Sequence, residues 1–157
     1  MQPSIRPATA DDREALRRFL TGLSPRTAYS RFFTGLGTVP DRLLTWLLPR
    51  APEQEVLVAE HGSDIVGHVM YTVDGDGAAE LAVVVTDAWQ RRGLGPRLVR
   101  AVLDRAADRG VGETRFTVLA SNLAANRIAG RVWPGARPVM DHGVYEYRVA
   151  LAGRVAA

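Results

Sequence analysis

The spacing of apolar positions changes twice along the chain. After a short extended opening, SIRPAT, the segment DDREALRRFLTGL carries apolar residues at helical intervals, with Asp11 or Asp12 near its start and Gly22 near its end. SPRTAYSRFF, opened by Ser24 and Pro25, reads as a shorter helix, and PDRLLTWLL as a third, closed by Pro49. The period then shortens. EVLVAE, DIVGHVMYTV and AAELAVVV are predicted strands. HGSD and DGDG between them are turn segments, which favours an antiparallel meander. A long helix follows over 94–109, with Leu94, Leu98, Val102 and Ala106 on one stripe and Gly110 ending it. TRFTVLA is a strand, NLAANRIAGRV a short helix, and GVYEYRVAL a last strand after the DHG turn. The order is strand, helices, three strands, helix, strand, helix, then one or two strands. That is an α+β (mixed α/β) chain.

Composition narrows this picture. No linker or repeat divides the 157 residues, so residues 1–157 are expected to form a single domain with a real core. No apolar run approaches the length of a membrane span, and MQPSIRPATADD lacks the apolar stretch of a signal peptide. A cytoplasmic location without membrane association is the expectation. The absence of cysteine excludes disulfides, thiolate catalysis and cysteine zinc sites. The histidines have no ligand spacing, so no metal is expected. The formal net charge of +3 is too small and too dispersed to indicate nucleic acid. All 20 basic side chains are arginine, which reflects either a use for forked, phosphate-matching donors or a codon bias.

One turn concentrates candidate chemistry. QRRGLG, Gln90 to Gly95, lies between a strand and a helix. The first amides of a helix lack intrahelical partners and its dipole is positive there. Gly93 and Gly95 permit close approach of a ligand to the backbone, and Arg91 and Arg92 add charge. The turn is thus an anion site suited to a phosphate or pyrophosphate, or else a tight turn with solvated arginines. It is not a dinucleotide fingerprint or a Walker loop, since neither GxGxxG nor GxxxxGK[ST] occurs.

DAWQRRGLGPRLV resembles the acetyl-CoA-binding signature of the GNAT family of N-acetyltransferases, with Gln90, Gly93 and Gly95 at its fixed positions. IRPATADD, SPRTAYSRFF, IVGHVMY, AAELAVVV, VLASN and DHGVYEYRVAL resemble successive blocks of its bacterial protein-lysine acetyltransferase branch. The resemblance implies a mostly antiparallel twisted sheet, flanked by helices and splayed between its two central strands. It implies acetyl-CoA as the donor substrate. Val83, Val84 and Val85 would pair with the pantetheine arm. Residues Arg91, Arg92, Gly93, Leu94 and Gly95 would hold the pyrophosphate, with Arg97 nearby. Glu80 would be the general base, and Asn122 would lie near the cofactor. The sequence departs from the family pattern twice: Pro96 removes an amide donor, and NRIAGRVWPGA lacks the tyrosine that serves many relatives as general acid.

Read from the residues alone, Glu80 opens an apolar strand on the face of Ala82 and Val84, opposite Leu81, Val83 and Val85. It is either an edge glutamate or a partly desolvated carboxylate with a raised pKa, able to take a proton from an amine. Tyr29, Arg31, Phe32 and Phe33 lie on the early helices, which in this fold shape the acceptor side, and are candidates for a substrate groove. His68 and Tyr71 fall on opposite strand faces, as core-edge packing. Trp46 and Trp133 are expected to pack. The expected function is acetyl transfer from acetyl-CoA to a primary amine, first a protein lysine, for example of a cytoplasmic acyl-CoA synthetase. The alternatives are a small-molecule amine acceptor and a non-catalytic acyl-CoA-sensing module. Either a monomer or a homodimer is compatible.

Overall fold

The computed structural model describes residues 1–32 and 37–151. Strand β1, Ser4–Pro7, leads through a 3-10 turn into α1, Arg13–Thr21. That entry is fixed locally: Thr9 N–H donates to Asp12 Oδ2 at 2.8 Å, and Arg6 grips both Asp12 and Glu60. Helices α2, Pro25–Phe32, and α3, Asp41–Leu47, follow. Strands β2, Gln54–His61, β3, Asp64–Val73, and β4, Ala79–Val85, form the expected antiparallel meander. Helix α4, Leu94–Asp108, precedes β5, Glu113–Leu119, and α5, Leu123–Val132. The chain then adds the short β6, Val139–Asp141, and β7, Val144–Ala150.

All seven strands join one sheet in the order β1-β2-β3-β4-β5-β7-β6. Alternation along β3 sorts the core into two layers. Val69 and Tyr71 face α4 and α5, together with Leu81, Leu98, Val102, Phe116 and Trp133. Met70 faces the layer of α1, α2 and α3, with Leu16, Leu20, Leu44 and Val84. Burying each such side chain contributes roughly 1.5–3 kcal/mol. Helix α4 approaches β3 closely because position 67 is glycine; a Cβ there would lie 2.7 Å from Leu98 Cδ1. His68 and Tyr71, expected at the core edge, are instead fully buried on opposite faces. Trp133 packs 5.9 Å from Phe116, whereas Trp46, also expected to pack, keeps 40% of its surface exposed.

The pairing of β4 with β5 positions the site. It is parallel, while every other strand pair among the described residues is antiparallel. It holds at three positions only, Ala79 with Thr114, Glu80 with Arg115 and Leu81 with Phe116. Beyond Leu81, β4 stays bonded to β3 as far as Val85, and β5 stays bonded to β7 as far as Leu119. The two strands therefore part, and among the described residues the outer edge of β4 is left without a sheet neighbour. Backbone groups on such an edge seek a partner.

Candidate functional site

A cleft of about 580 Å³ opens along that free edge. Val83, Val84 and Val85 form its floor, and Arg26, Thr27, Ser30 and Arg31 of α2 form one wall. The turn before α4 contributes Gln90, Arg91 and Gly93, and α5 supplies Asn122, Arg127, Ile128 and Arg131. The expected turn residues and the valine strand are thus brought together with a helix far from them in sequence.

The turn is held in place from two directions. Gln90 Nε2 donates to Val85 O at 3.0 Å and to Thr27 Oγ1 at 3.2 Å, joining turn, strand and α2. Asp87 accepts from Ser24 Oγ at 2.9 Å and from Ser24 N–H at 3.2 Å. The backbone then enters the left-handed region at Arg91, φ 62°, and at Gly93, φ 83°. Non-glycine residues adopt that region at a cost, and such strain gathers where the chain must aim its polar groups. Arg97 N–H bonds back to Gly93 O at 3.3 Å, so Leu94 and Gly95 precede the first intrahelical donor. Pro96 has no amide to offer and sits in the first turn, where proline is tolerated.

The charge of the cleft is one-sided. Arg26, Arg31, Arg91, Arg127 and Arg131 line it, against Asp87 as the one acid among the described lining residues, and Asp87 is bonded to Ser24. Such a concave cationic surface with a helix N-terminus at one end suits a phosphate-bearing ligand.

Not every expected residue reaches the cleft. Arg92 lies over the Trp89 ring at 4.9 Å, and Arg97 reaches Gln2 Oε1 and Pro3 O at 3.1 and 3.2 Å. The Leu94 side chain is buried in the core, so only its backbone is available. Asn122 lines the cleft and also caps α5, its Oδ1 accepting Ala125 N–H at 3.1 Å. Tyr29 is half-exposed, Phe32 packs at the edge of the helical core layer, and Phe33 lies outside the described residues. Arg127 and Arg131 were not anticipated. Their i,i+4 spacing in NRIAGR, one face of one helix, was the available signal.

Glu80 stands apart from the cleft lining, at the second of the three β4–β5 pairs, where the strands are about to separate. It lies about 10 Å along the strand from Val83, at a rise of roughly 3.3 Å per residue. It is half-buried, and burial raises its pKa above the ordinary carboxylate range; a hydrogen bond with Thr117 and the charge of Arg115 oppose the shift, while Asp74 and Glu146 add to it. Arg115 is itself paired with Asp74, Asp76 and Glu113. Along β5, Thr114, Phe116 and Val118 are buried on one face, while Arg115 and Thr117 stay partly open on the face that carries Glu80. Among the described residues, no helix is long and apolar enough to cross a membrane.

Comparison with known proteins places this arrangement. Residues 24–131 match the acetyltransferase (GNAT) family. An acetyltransferase of Pseudomonas aeruginosa is 32% identical over 154 residues, covering 94% of this chain and 83% of its own. The GNAT domain of S. lividans PAT superposes with a TM-score of 0.87 at 25% identity, over 94% of this chain and 89% of that one. The Salmonella typhimurium protein yncA, solved with its cofactor acetyl-CoA, shares the fold, with a TM-score of 0.73 at 19% identity over 100% of this chain and 98% of its own. With the profile spanning both the strand splay and the QRRGLG turn, the chain belongs to the acetyltransferase (GNAT) family.

Proposed function

We propose that the protein transfers the acetyl group of acetyl-CoA to a primary amine, the side chain of a protein lysine. The observation that carries this reading is the cleft itself, a free strand edge that leads to an arginine-bearing helix N-terminus. A pantetheine arm offers amides that suit the unpaired edge at Val83, Val84 and Val85. A pyrophosphate suits the amides of residues 91–95 and the Arg91 guanidinium, with Asn122 on the facing wall. Gln90, which also lines the cleft, holds the turn against Val85 and Thr27.

The chemistry follows from where the strands part. The amine nitrogen forms a bond to the thioester carbonyl carbon, the carbon–sulfur bond breaks, and sulfur leaves as the CoA thiolate. Backbone N–H groups on the free edge of β4 are suited to receive the charge developing on the carbonyl oxygen. A lysine amine has a pKa of about 10.4 and must lose a proton before it attacks. Glu80, half-buried with a raised pKa, accepts that proton through water across the length of strand that separates it from the cleft. After attack the nitrogen loses its second proton as the amide forms; that proton goes to the departing thiolate to give CoA-SH, and Glu80 returns the first proton to water. The partly open face of β5 beside Glu80 and the resemblance of SPRTAYSRFF to the protein-lysine branch support a protein acceptor.

The test is CoA release from acetyl-CoA against panels of folded proteins, lysine peptides and small amines, with mass spectrometry of the products. The reading requires acetyl-lysine on a protein or peptide. Efficient turnover of small amines alone would replace the protein acceptor with a small-molecule one.

A further inference from the structure

Among the described arginines, Arg31 alone has an enclosed guanidinium nitrogen without an acceptor. Arg6, Arg13, Arg17, Arg105, Arg109, Arg115 and Arg148 each meet a carboxylate within salt-bridge distance. Arg31 meets none among the described residues. Its guanidinium lies over the Phe32 ring at 4.7 Å and over the Trp46 ring at 5.6 Å. Neither ring offers the guanidinium donors a lone-pair acceptor. Nε is enclosed and has no acceptor, and Nη2 reaches only the Met70 sulfur, a weak acceptor, at 3.9 Å. His68 does not supply an anion, because burial holds its pKa down to about 4 and its ring is neutral. Although the residue opens onto the cleft, its neighbours strip enough water from the guanidinium to hold its own pKa down to about 10.

A cation kept dry without a counter-ion is costly, and buried charges are ordinarily paired. The two rings hold the guanidinium in place in advance, and its fork of donors suits a planar anion arriving from outside. Its position says which anion is in reach. Thr27 marks the phosphate end of α2, through its bond to Gln90. Arg31 is one helical turn further on, about 6 Å along the axis. There it touches Met70, whose cross-strand partner Ala82 is the first β4 residue beyond the β5 pairing. Arg31 therefore stands at the acyl end of the cleft, where the strands part.

We infer that Arg31 is a carboxylate receptor at the acyl end of the cleft, oriented by Phe32 and Trp46 and lacking any acid of its own, and that one of the two substrates brings the carboxylate. This rests on the acyl-transfer reading of the same cleft. The carboxylate belongs either to the far end of a dicarboxylic acyl donor, such as a succinyl thioester, or to an acceptor amine that also carries an acid group. In both cases the transferred bond and the proton balance are those given above.

Binding measured by calorimetry tests the inference without needing turnover. One arm compares succinyl-CoA with butyryl-CoA, which has the same chain length and no charge. The other compares Nα-acetyl-lysine with its carboxamide, on protein already holding CoA. In one arm the carboxylate member is expected to bind about tenfold tighter or more, as a charge-assisted hydrogen bond supplies. The arm that responds identifies the source. Arg31→Met should bring the pair within about twofold of each other, and Arg31→Lys should recover part of the difference, since it keeps the charge but not the planar fork. Equal binding within both pairs by the wild-type protein overturns the inference, and so does a preference that survives in Arg31→Met. Failure of the acyl-transfer reading looks different: no CoA release from acetyl-CoA with any amine, whatever these affinities are.

Discussion

A Cβ on Gly95 would stand 2.5 Å from Cδ1 of Ile128, and 3.0 Å from its Cγ1. The two glycines of QRRGLG therefore serve different ends. Gly95 is small because α5 crosses over it, and Ile128 lines the cleft at that point. Gly93 has open space around its Cα, and what it supplies is the left-handed backbone that turns the chain into α4.

Gly95→Ala is expected to push Ile128 outward and cost about 1 kcal/mol or somewhat more, as overpacking does. Adding Ile128→Val removes Cδ1, the nearest of the two colliding atoms, and should restore most of the loss. Thermal unfolding of the two single variants and the double variant gives the coupling. Additive effects would mean that the two residues do not meet as described.

Gly93→Val tests the backbone rather than the packing. A β-branched residue in the left-handed region costs roughly 1–2 kcal/mol, and the turn relaxes by rotating its amides away from the cleft. Affinity for CoA should fall clearly in folded Gly93→Val. Gly93→Asn, which tolerates this conformation, should lose much less. Equal CoA affinity in Gly93→Val and wild type would remove residues 91–95 from the binding site.

Much of this arrangement is legible in the sequence, for a local reason. The strand β3, Asp64–Val73, is bounded by turn residues on both sides, and α4 begins where the glycine-arginine turn ends. What the residue pattern itself does not mark, and only the family resemblance implies, is non-local. The β4–β5 splay depends on a parallel pairing across the whole of α4, and no local pattern marks where such pairing stops. Strand β6 is three exposed residues, too short to show a period. Arg31 was readable as a groove residue, but the missing acid beside it is a property of the packed protein. The aromatic contact of Trp46 with it belongs to the same class.

His68 makes the fold acid-sensitive. Its Nε2–H donates to Leu47 O at 2.9 Å, and burial holds the pKa down to about 4 from 6.5. A histidine pKa depressed by folding contributes stability above its unfolded value, and that stability is lost as pH falls through about 6.5 towards 4. The loss attributable to this group is at most about 3 kcal/mol. Stability measured by urea unfolding should fall across this window in wild type. His68→Gln keeps a donor for Leu47 O and should flatten the curve there. An identical slope in both proteins would clear His68 of the effect.

Because the chain contains no lysine, it cannot acetylate its own lysine side chains. Incubation of the pure protein with acetyl-CoA should leave every side-chain amine assignment empty in a peptide map. Acetyl-lysine found in an assay then belongs to the acceptor. Acetylated lysine in peptides of this chain would contradict the sequence of the sample.

Glu80 carries the last prediction. Burial raises its pKa, so the protonated carboxyl is favoured in the fold. The stability from that preference is present below the unfolded pKa and lost as pH rises through the folded value. Glu80→Gln, which cannot ionise, should therefore be more stable than wild type at neutral pH, and the difference should shrink in acid. Turnover should move the other way. CoA affinity should persist, because Glu80 lies outside the cleft lining, while kcat falls by a factor of about 10² to 10⁴, as for a lost general base. The wild-type rate should rise with pH as Glu80 and the amine lose protons, and the variant should recover in part at high pH, where more amine is already neutral. The measurements are kcat against pH for both proteins, with CoA affinity and unfolding in parallel. A stabilised variant with wild-type turnover across neutral pH would make Glu80 a desolvated edge residue of β4 and pass the proton to water held by the free strand edge.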